Sequence, residues 1–276
     1  MSADHSTMPD RRYFVETAAR AIAMLRAVEE MRGAPASLAD LVAKLGWSKP
    51  TTYRFVRTLD AIGALRQVDG KGYVLGPALI TLGLAALRGT RVPDIAHPYI
   101  VRLSETTGET VFLSILDDTE VVYLDRIDSA EILLRARLEV GSRLPAFVTS
   151  SGKVLLAALT EQEVRNRHVD CRFGKFGPKA VRSVEELLAS LTVVRKLGYA
   201  VTQDELTLGH ASVAVPIRDH TGATSAAIGI SGSLARLSDA RVVELATNHL
   251  IPVAGAVSAA LGRGIEQQPG AEGCLG

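Results

Sequence analysis

From Glu16 to Met31 the apolar residues Ala18, Ala21, Ile22, Leu25 and Val28 recur at three- and four-residue steps, which predicts a helix with one buried face, ended by Gly33. Ser37, with Asp40 three residues on, predicts the cap of a second helix carrying Leu38, Leu41, Val42 and Leu45, and Gly46 stops it. Ser48 then caps a third, with Pro50 in the first turn, where a missing N–H costs little. On that helix Thr52, Phe55, Val56, Leu59 and Ile62 share a core side, while Tyr53, Arg54, Arg57 and Ala61 share the other. Two strand-like runs follow, Leu65 to Val68 and Tyr73 to Leu75, around the turn Asp69-Gly70-Lys71-Gly72. Pro77 to Leu87 predicts a helix more apolar than a solvated linker, which needs a burial partner.

The second half alternates differently. A helix is predicted from Pro93 to Thr107, then strands at Thr110 to Leu116, Glu120 to Ile127 and Ile132 to Leu138. Helices are predicted at Ser151 to Leu159, Glu161 to His168, Val184 to Leu197 and Ser238 to Leu261, with strands at Ser212 to Ile217 and Thr224 to Ile230. Hairpins flanked by helices, without repeated βαβ units, predict an α+β domain built on an antiparallel sheet. The boundaries expected are a flexible arm at 1–12, a helix-turn-helix domain with a hairpin at 13–76, a linker helix at 77–92, a second domain at 93–262 and a disordered tail at 263–276.

Composition narrows the class. With 276 residues and an apolar fraction of 47%, the chain has enough material for two packed cores. No signal-like h-region opens it, and the apolar run Leu250 to Gly262 is shorter than the roughly 18 residues a spanning helix needs, so a cytoplasmic location away from membranes is expected. Cys171 and Cys274 are too few for a disulfide framework or a structural zinc site. The net charge of +1 conceals a local bias: Lys44, Lys49, Arg54, Arg57, Arg66 and Lys71 face only Asp60 and Asp69.

Catalytic signatures are near misses. Ser151-Gly152-Lys153 imitates the end of a phosphate-binding loop, but Phe147 stands where the first glycine belongs and Val154 where Ser or Thr belongs. Gly229-Ile230-Ser231-Gly232-Ser233 approaches a nucleophile elbow and fails at its fifth residue. The six histidines show no paired metal spacing, so neither a metal nor another cofactor is expected. What remains is the outline of a winged helix. Its residue types suit double-stranded DNA: Lys and Arg neutralise phosphates, Ser and Thr at a helix start bond phosphates or base edges, and an exposed Arg can fork onto guanine. The expected DNA contacts are Ser48, Lys49, Thr51, Tyr53, Arg54, Arg57 and Lys71. A structural helix pair with a solvated charged face fits the same periodicity.

The segments FVETAARAIAMLRAVEE, SLADLVAKLGWSKPTTYRFVRTLDAIGAL and GYVLG resemble, in order and spacing, the N-terminal domain of the IclR family of bacterial regulators. VGSRLPAFVTSSGKVLLAAL, GYAVTQDELTLGHASVAVPI and AAIGISG resemble its effector-binding domain, and the likeness spans about residues 14 to 262. It implies a winged helix, a linker helix, a GAF-like sensor domain with a curved antiparallel sheet, and homodimers or homotetramers on operator DNA, acting as repressor or activator without catalysis. It also implies a pocket for a small organic acid lined by Leu133, Ala136, Ser150, Ser151, Thr202, His210, Ser212, Gly229 and Ser231. Thr202, Ser212 and His210 stand where keto-acid-binding members carry Asp, Cys and Leu, which favours a larger polar or aromatic ligand, an aromatic carboxylate among them. FVETAARAIAMLRA, GSRLPA and TSSGKVLLA resemble the members that govern aromatic-acid breakdown. The rival from another class is an enzyme on the C-terminal fold with His210 as base; no carboxylate, metal set or nucleophile accompanies that histidine at a recognisable spacing.

Overall fold

A computed structural model describes residues 14–31, 33–68, 70, 72–129, 139–174 and 176–263. The chain divides into two compact units, residues 1–90 and 91–276. In the first, helices α1 (Glu16–Glu29), α2 (Leu38–Leu45) and α3 (Lys49–Ala61) precede the hairpin β1 (Leu65–Val68) and β2 (Gly72–Leu75) and helix α4 (Pro77–Thr90). The caps expected for α2 are present. Ser37 Oγ accepts from the Asp40 N–H while the Asp40 carboxylate accepts from the Ser37 N–H, and Gly46 closes the helix at φ 67°, a left-handed conformation that suits glycine.

Two facing assignments are corrected. In α1 the buried residues are Met24, Ala27 and Val28; of the face expected, Val28 is buried and Ala21 and Leu25 pack half-buried against the core, while Ala18 and Ile22 are exposed. The core cluster that Met24, Ala27 and Val28 join, with Leu41, Val56, Leu59 and Leu65, takes in α1 from Ala21 onward. Ile62 is also exposed: it caps α3 at φ −92°, ψ 5°, where the chain turns away from the core side that Thr52, Val56 and Leu59 define.

The second unit holds a six-stranded antiparallel sheet in the order β5-β4-β3-β8-β7-β6. Its strands are β3 (Thr110–Asp117), β4 (Glu120–Ile127), β5 (Arg143–Pro145), β6 (Ala200–Gln203), β7 (His210–Arg218) and β8 (Thr224–Ser233). Register shifts at Leu113/Ser114 and Ile217/Arg218 mark irregularities that bend strands and help curve the sheet. One face packs against α5 (Val92–Thr107) and the C-terminal helix, the other against α6 (Ser150–Ala157) and, through it, α8 (Val184–Leu197); α7 (Glu161–Arg167) flanks α8. Strands β5 and β6 were not anticipated, and the expected strand Ile132 to Leu138 lies outside the described residues.

The C-terminal helix runs through α9 (Asp239–Glu244), a π-helical stretch (Leu245–Leu250) and α10 (Ile251–Arg263). Pro252 lacks the N–H that an α-turn would send back four residues, which accounts for the wider turn just before it. Because this helix starts well before Leu250, its span Asp239–Gly262 is long and apolar enough to cross a bilayer by length and composition alone, which corrects the shorter run read from sequence. Val242, Leu245, Ala246, Leu250, Ala254 and Val257 form one buried face, by which the helix packs on β7, β8 and α5, while Val243 and Ile251 are exposed.

Candidate functional site: an exposed helix face and a serine-lined cavity

In the first unit, α3 begins where Ser48 Oγ accepts from the Thr51 N–H at 3.4 Å and the two hydroxyls bond at 2.8 Å. Thr52 is fully buried and donates to the Ser48 carbonyl, so it belongs to the core. Behind the turn, Trp47 packs on Phe55 with ring centroids 5.2 Å apart, and the Arg20 guanidinium lies 5.7 Å above the indole. The opposite side of α3 is open: Ser48, Lys49, Tyr53, Arg54 and Arg57 are exposed and Thr51 is half-buried. The basic patch is thinner than its composition suggests. Lys44 pairs with Glu30, and Arg57 lies 3.6 Å from Asp60. Lys49, Arg54 and Arg66 carry no carboxylate partner among the described residues, and Lys71 lies outside them.

In the second unit, register builds a row of hydroxyls across three strands. Thr202 on β6 pairs with Ser212 on β7, and Ser212 with Ser231 on β8. Ser150, the first residue of α6, reaches down to that row: its Oγ lies 2.8 Å from Ser212 Oγ, which lies 2.7 Å from Thr202 Oγ1. His210 sits two residues before Ser212 on the same strand face. Ser150, Ser212, Ser231 and His210 line one cavity with Phe112, Tyr123, Val148, Thr149 and Leu206. Its space is small, about 20 Å³, room for roughly one water.

Several expected wall residues lie elsewhere. Gly229 is under the Phe112 ring, whose Cζ would lie 2.5 Å from any Cβ placed there, so glycine lets the aromatic ring seat. Ser151 is fully buried, does not line the cavity, and its Oγ has no hydrogen-bond partner among the described residues. Thr149, not Ser150 or Ser151, caps α6 by accepting from the Gly152 N–H at 3.1 Å. Phe147 packs tilted against Phe173 and edge to face against Phe176, in the same core cluster as Val154, Leu155 and Leu156 of α6. Leu133 and Ala136 lie outside the described residues. Phe112 and Tyr123, packed edge to face at 5.5 Å, were missed, although the alternation expected over Thr110 to Leu116 puts Phe112 on one face of β3.

The electrostatics of this cavity are those of neutral donors. Burial pushes the Tyr123 phenol up to about 12, so it stays a hydroxyl. Burial also holds the His210 imidazole below its ordinary range, with Arg126 adding to the effect. Just outside, Lys153 of α6 and Glu205 are both buried, with Nζ 2.7 and 2.6 Å from the two carboxylate oxygens. Among the described residues no group of three or more His, Cys, Asp or Glu could hold a metal.

His168 is buried as well, which lowers its pKa against the opposing pull of its bond to the Val164 carbonyl. Both imidazoles therefore take up a proton at lower pH in the folded chain than in the unfolded one, where they titrate at about 6.5. Between the lowered folded values and about 6.5 the unfolded chain binds more protons, so stability rises with pH through that window and is lost as pH falls. The denaturant midpoint is expected to drop from about pH 7.5 to about pH 5.5, and to drop less in His210→Leu. A midpoint that rises on acidification would contradict this account.

Comparison with known proteins decides the family. Residues 17–69 match the IclR helix-turn-helix domain and residues 84–259 the C-terminal domain of bacterial IclR transcriptional regulators. The chain belongs to the IclR family. It is 31% identical to the Pca regulon regulatory protein of Pseudomonas putida over 82% of this chain and 77% of that one. To the transcriptional regulator XynR of Escherichia coli it is 30% identical, over 90% and 98%. Among solved structures, an IclR regulator from Alicyclobacillus acidocaldarius superposes with a TM-score of 0.76 at 27% identity, over 90% of this chain and 99% of that one. An IclR homologue from Microbacterium hydrocarbonoxydans, complexed with 4-hydroxybenzoate, superposes with a TM-score of 0.75 at 25% identity, over 88% and 98%. This IclR protein is a transcriptional regulator rather than an enzyme, of a family that binds operator DNA and small-molecule effectors.

Proposed function

We propose that this IclR regulator binds operator DNA through α3 and releases or tightens its hold when an aromatic carboxylate enters the cavity at the start of α6. The observation that carries the reading is the pair of hydroxyls Ser150 and Ser212, which line the cavity with the Phe112 and Tyr123 rings and are backed by Thr202, itself outside the lining, through its bond to Ser212. The first N–H groups of α6 have no intrahelical acceptor and carry the positive end of the helix dipole. A carboxylate can rest there on serine hydroxyls without a dedicated arginine. The aromatic rings supply apolar contact, and neutral His210 and the Tyr123 hydroxyl suit a distal polar substituent. The neighbour complexed with 4-hydroxybenzoate supports that class of ligand. Because the cavity as it stands holds about one water, the ligand enters by moving Leu206 and the His210 ring aside.

The experiment is operator binding by fluorescence anisotropy, with DNA flanking the protein's own gene, with and without 4-hydroxybenzoate. Ser150→Leu is expected to keep operator affinity and lose the response; a variant that responds as the parent does would misplace the site. Arg54→Ala is expected to weaken operator binding by about 1–3 kcal/mol, as loss of a base contact does. Arg57→Ala should instead lower the slope of log affinity against log salt by about one unit. Unchanged binding in both variants would remove α3 from the DNA.

Self-association and the domain roles belong to the same reading: residues 13–76 bind DNA, 77–92 link and dimerise, and 93–262 sense the effector in the cytoplasm. On α4, Ile80 and Leu82 are exposed, as are Phe14, Val15 and Ile22 around α1, more apolar surface than a solvated unit of this size needs. A two-fold dimer would cover it and present two recognition helices to a palindromic operator.

A further inference from the structure

We propose that the second unit carries another small-molecule site, for an amphipathic carboxylate, at the opposite end of α6 from the serine-lined cavity. A groove of about 580 Å³ lies there, within the size range of ligand pockets. Its floor is apolar: Leu116, Val154, Leu155, Leu159, Val194 and Pro216, brought together from β3, α6, α8 and β7. Two guanidiniums from separate elements stand at its sides. Arg195 of α8 is fixed by donating to the Ala157 and Leu159 carbonyls at 2.9 and 3.1 Å, and Arg218 at the end of β7 donates to the Gly222 carbonyl at 3.1 Å.

Carbonyls satisfy donors without neutralising charge, and neither arginine has a carboxylate partner among the described residues. The nearest acid in sequence, Asp219, spends its carboxylate on the Thr221 N–H and hydroxyl and the Ala223 N–H, inside the turn. No acidic residue lines the groove among those described. A further polar group there is unsatisfied: Ser225 Oγ is screened from solvent and has no hydrogen-bond partner among the described residues. An apolar floor, two uncompensated cations and an unpartnered hydroxyl together select a ligand with one negative head and an aliphatic or aromatic body. The carbonyls at the end of α6, which would repel an anion, already accept from Arg195.

Calorimetric titration of the full chain with octanoate, and with octylamine as the same body of opposite charge, tests the site. Octanoate is expected to bind at least about tenfold more tightly than octylamine, and Arg218→Gln to weaken it by about tenfold, the size of a lost charge-assisted hydrogen bond. Ala158→Trp, which places a ring over the groove from an exposed position, should abolish binding. Ser150→Leu should leave octanoate binding intact, which separates this site from the effector cavity. The proposal is overturned by equal affinity for octylamine, or by octanoate binding that survives both groove variants or is lost in Ser150→Leu alone. It is equally overturned if octanoate gives no heat while Ala158→Trp shifts the sedimentation coefficient, since a second copy of the chain then occupies the groove.

Discussion

Lys153→Met is expected to lower stability by about 3–5 kcal/mol, because it leaves the Glu205 carboxylate buried without its cation. Both partners are under a tenth exposed, and the ammonium sits between the two carboxylate oxygens at 2.6–2.7 Å. Burial pushes the Glu205 carboxyl upward while Lys153 pulls it down, so removing the lysine leaves only the unfavourable influence. The double variant Lys153→Met, Glu205→Leu should recover most of the loss, since burying two apolar chains avoids both desolvation penalties. Urea midpoints of the parent, the single variant and the double variant check this. A single variant within about 1 kcal/mol of the parent would mean that water reaches the pair, as at exposed salt bridges.

The bridge also explains how the cavity keeps its shape. Lys153 lies one turn into α6 beyond Ser150, and Glu205 lies on the segment between Thr202 and His210, so one ion pair holds the two halves of the hydroxyl row together. Two further bonds fix the same segment, from the Gly177 N–H to the Glu205 carbonyl and from the Gly209 N–H to the Asp204 carboxylate. A change at either end of the pair is therefore expected to disturb effector response as well as stability.

Local signals were readable in the sequence and long-range ones were not. Ser37 with Asp40, Gly46, and Ser48 with Pro50 each act within four residues, so the caps of α2 and α3 could be placed from spacing alone. The core side of α3 followed from period, except at Ile62, where the helix had already ended. Ile22 was misplaced because α1 carries apolar residues around most of its circumference, and only its packing partners decide which stripe is buried. Strands β5 and β6, three and four residues long, offer too little alternation to register; they exist because Val122 and Ala214 have partners to pair with. Ser150, Thr202 and Ser212 entered as candidates through family resemblance, since nothing in the spacing of residues 62 and 10 apart announces a shared hydrogen bond. The mate of Lys153 is 52 residues away and was invisible for the same reason.

Gly152→Ala tests whether the seat of α6 positions the hydroxyl row. A Cβ at Gly152 would fall 2.2 Å from the Ala146 carbonyl oxygen and 2.3 Å from its Cα, both backbone atoms that cannot swing away. Helix α6 or the 3-10 turn Ala146–Val148 must therefore shift, at a cost of about 1–3 kcal/mol or somewhat more. The same methyl at Gly255 meets nothing within 4 Å in the interior of α10, so Gly255→Ala should be stabilising by about 0.5–1 kcal/mol through helix propensity. The contrast removes glycine's backbone entropy as an explanation and leaves close approach. Since Ser150 and the Thr149 cap move with the first turn of α6, Gly152→Ala should also blunt the effector response while operator affinity in the absence of ligand stays at the parent value. An unshifted unfolding midpoint would mean that the turn yields freely and that α6 is not held by its contact with Ala146. A lowered midpoint with an unchanged effector response would instead place the carboxylate away from the start of this helix.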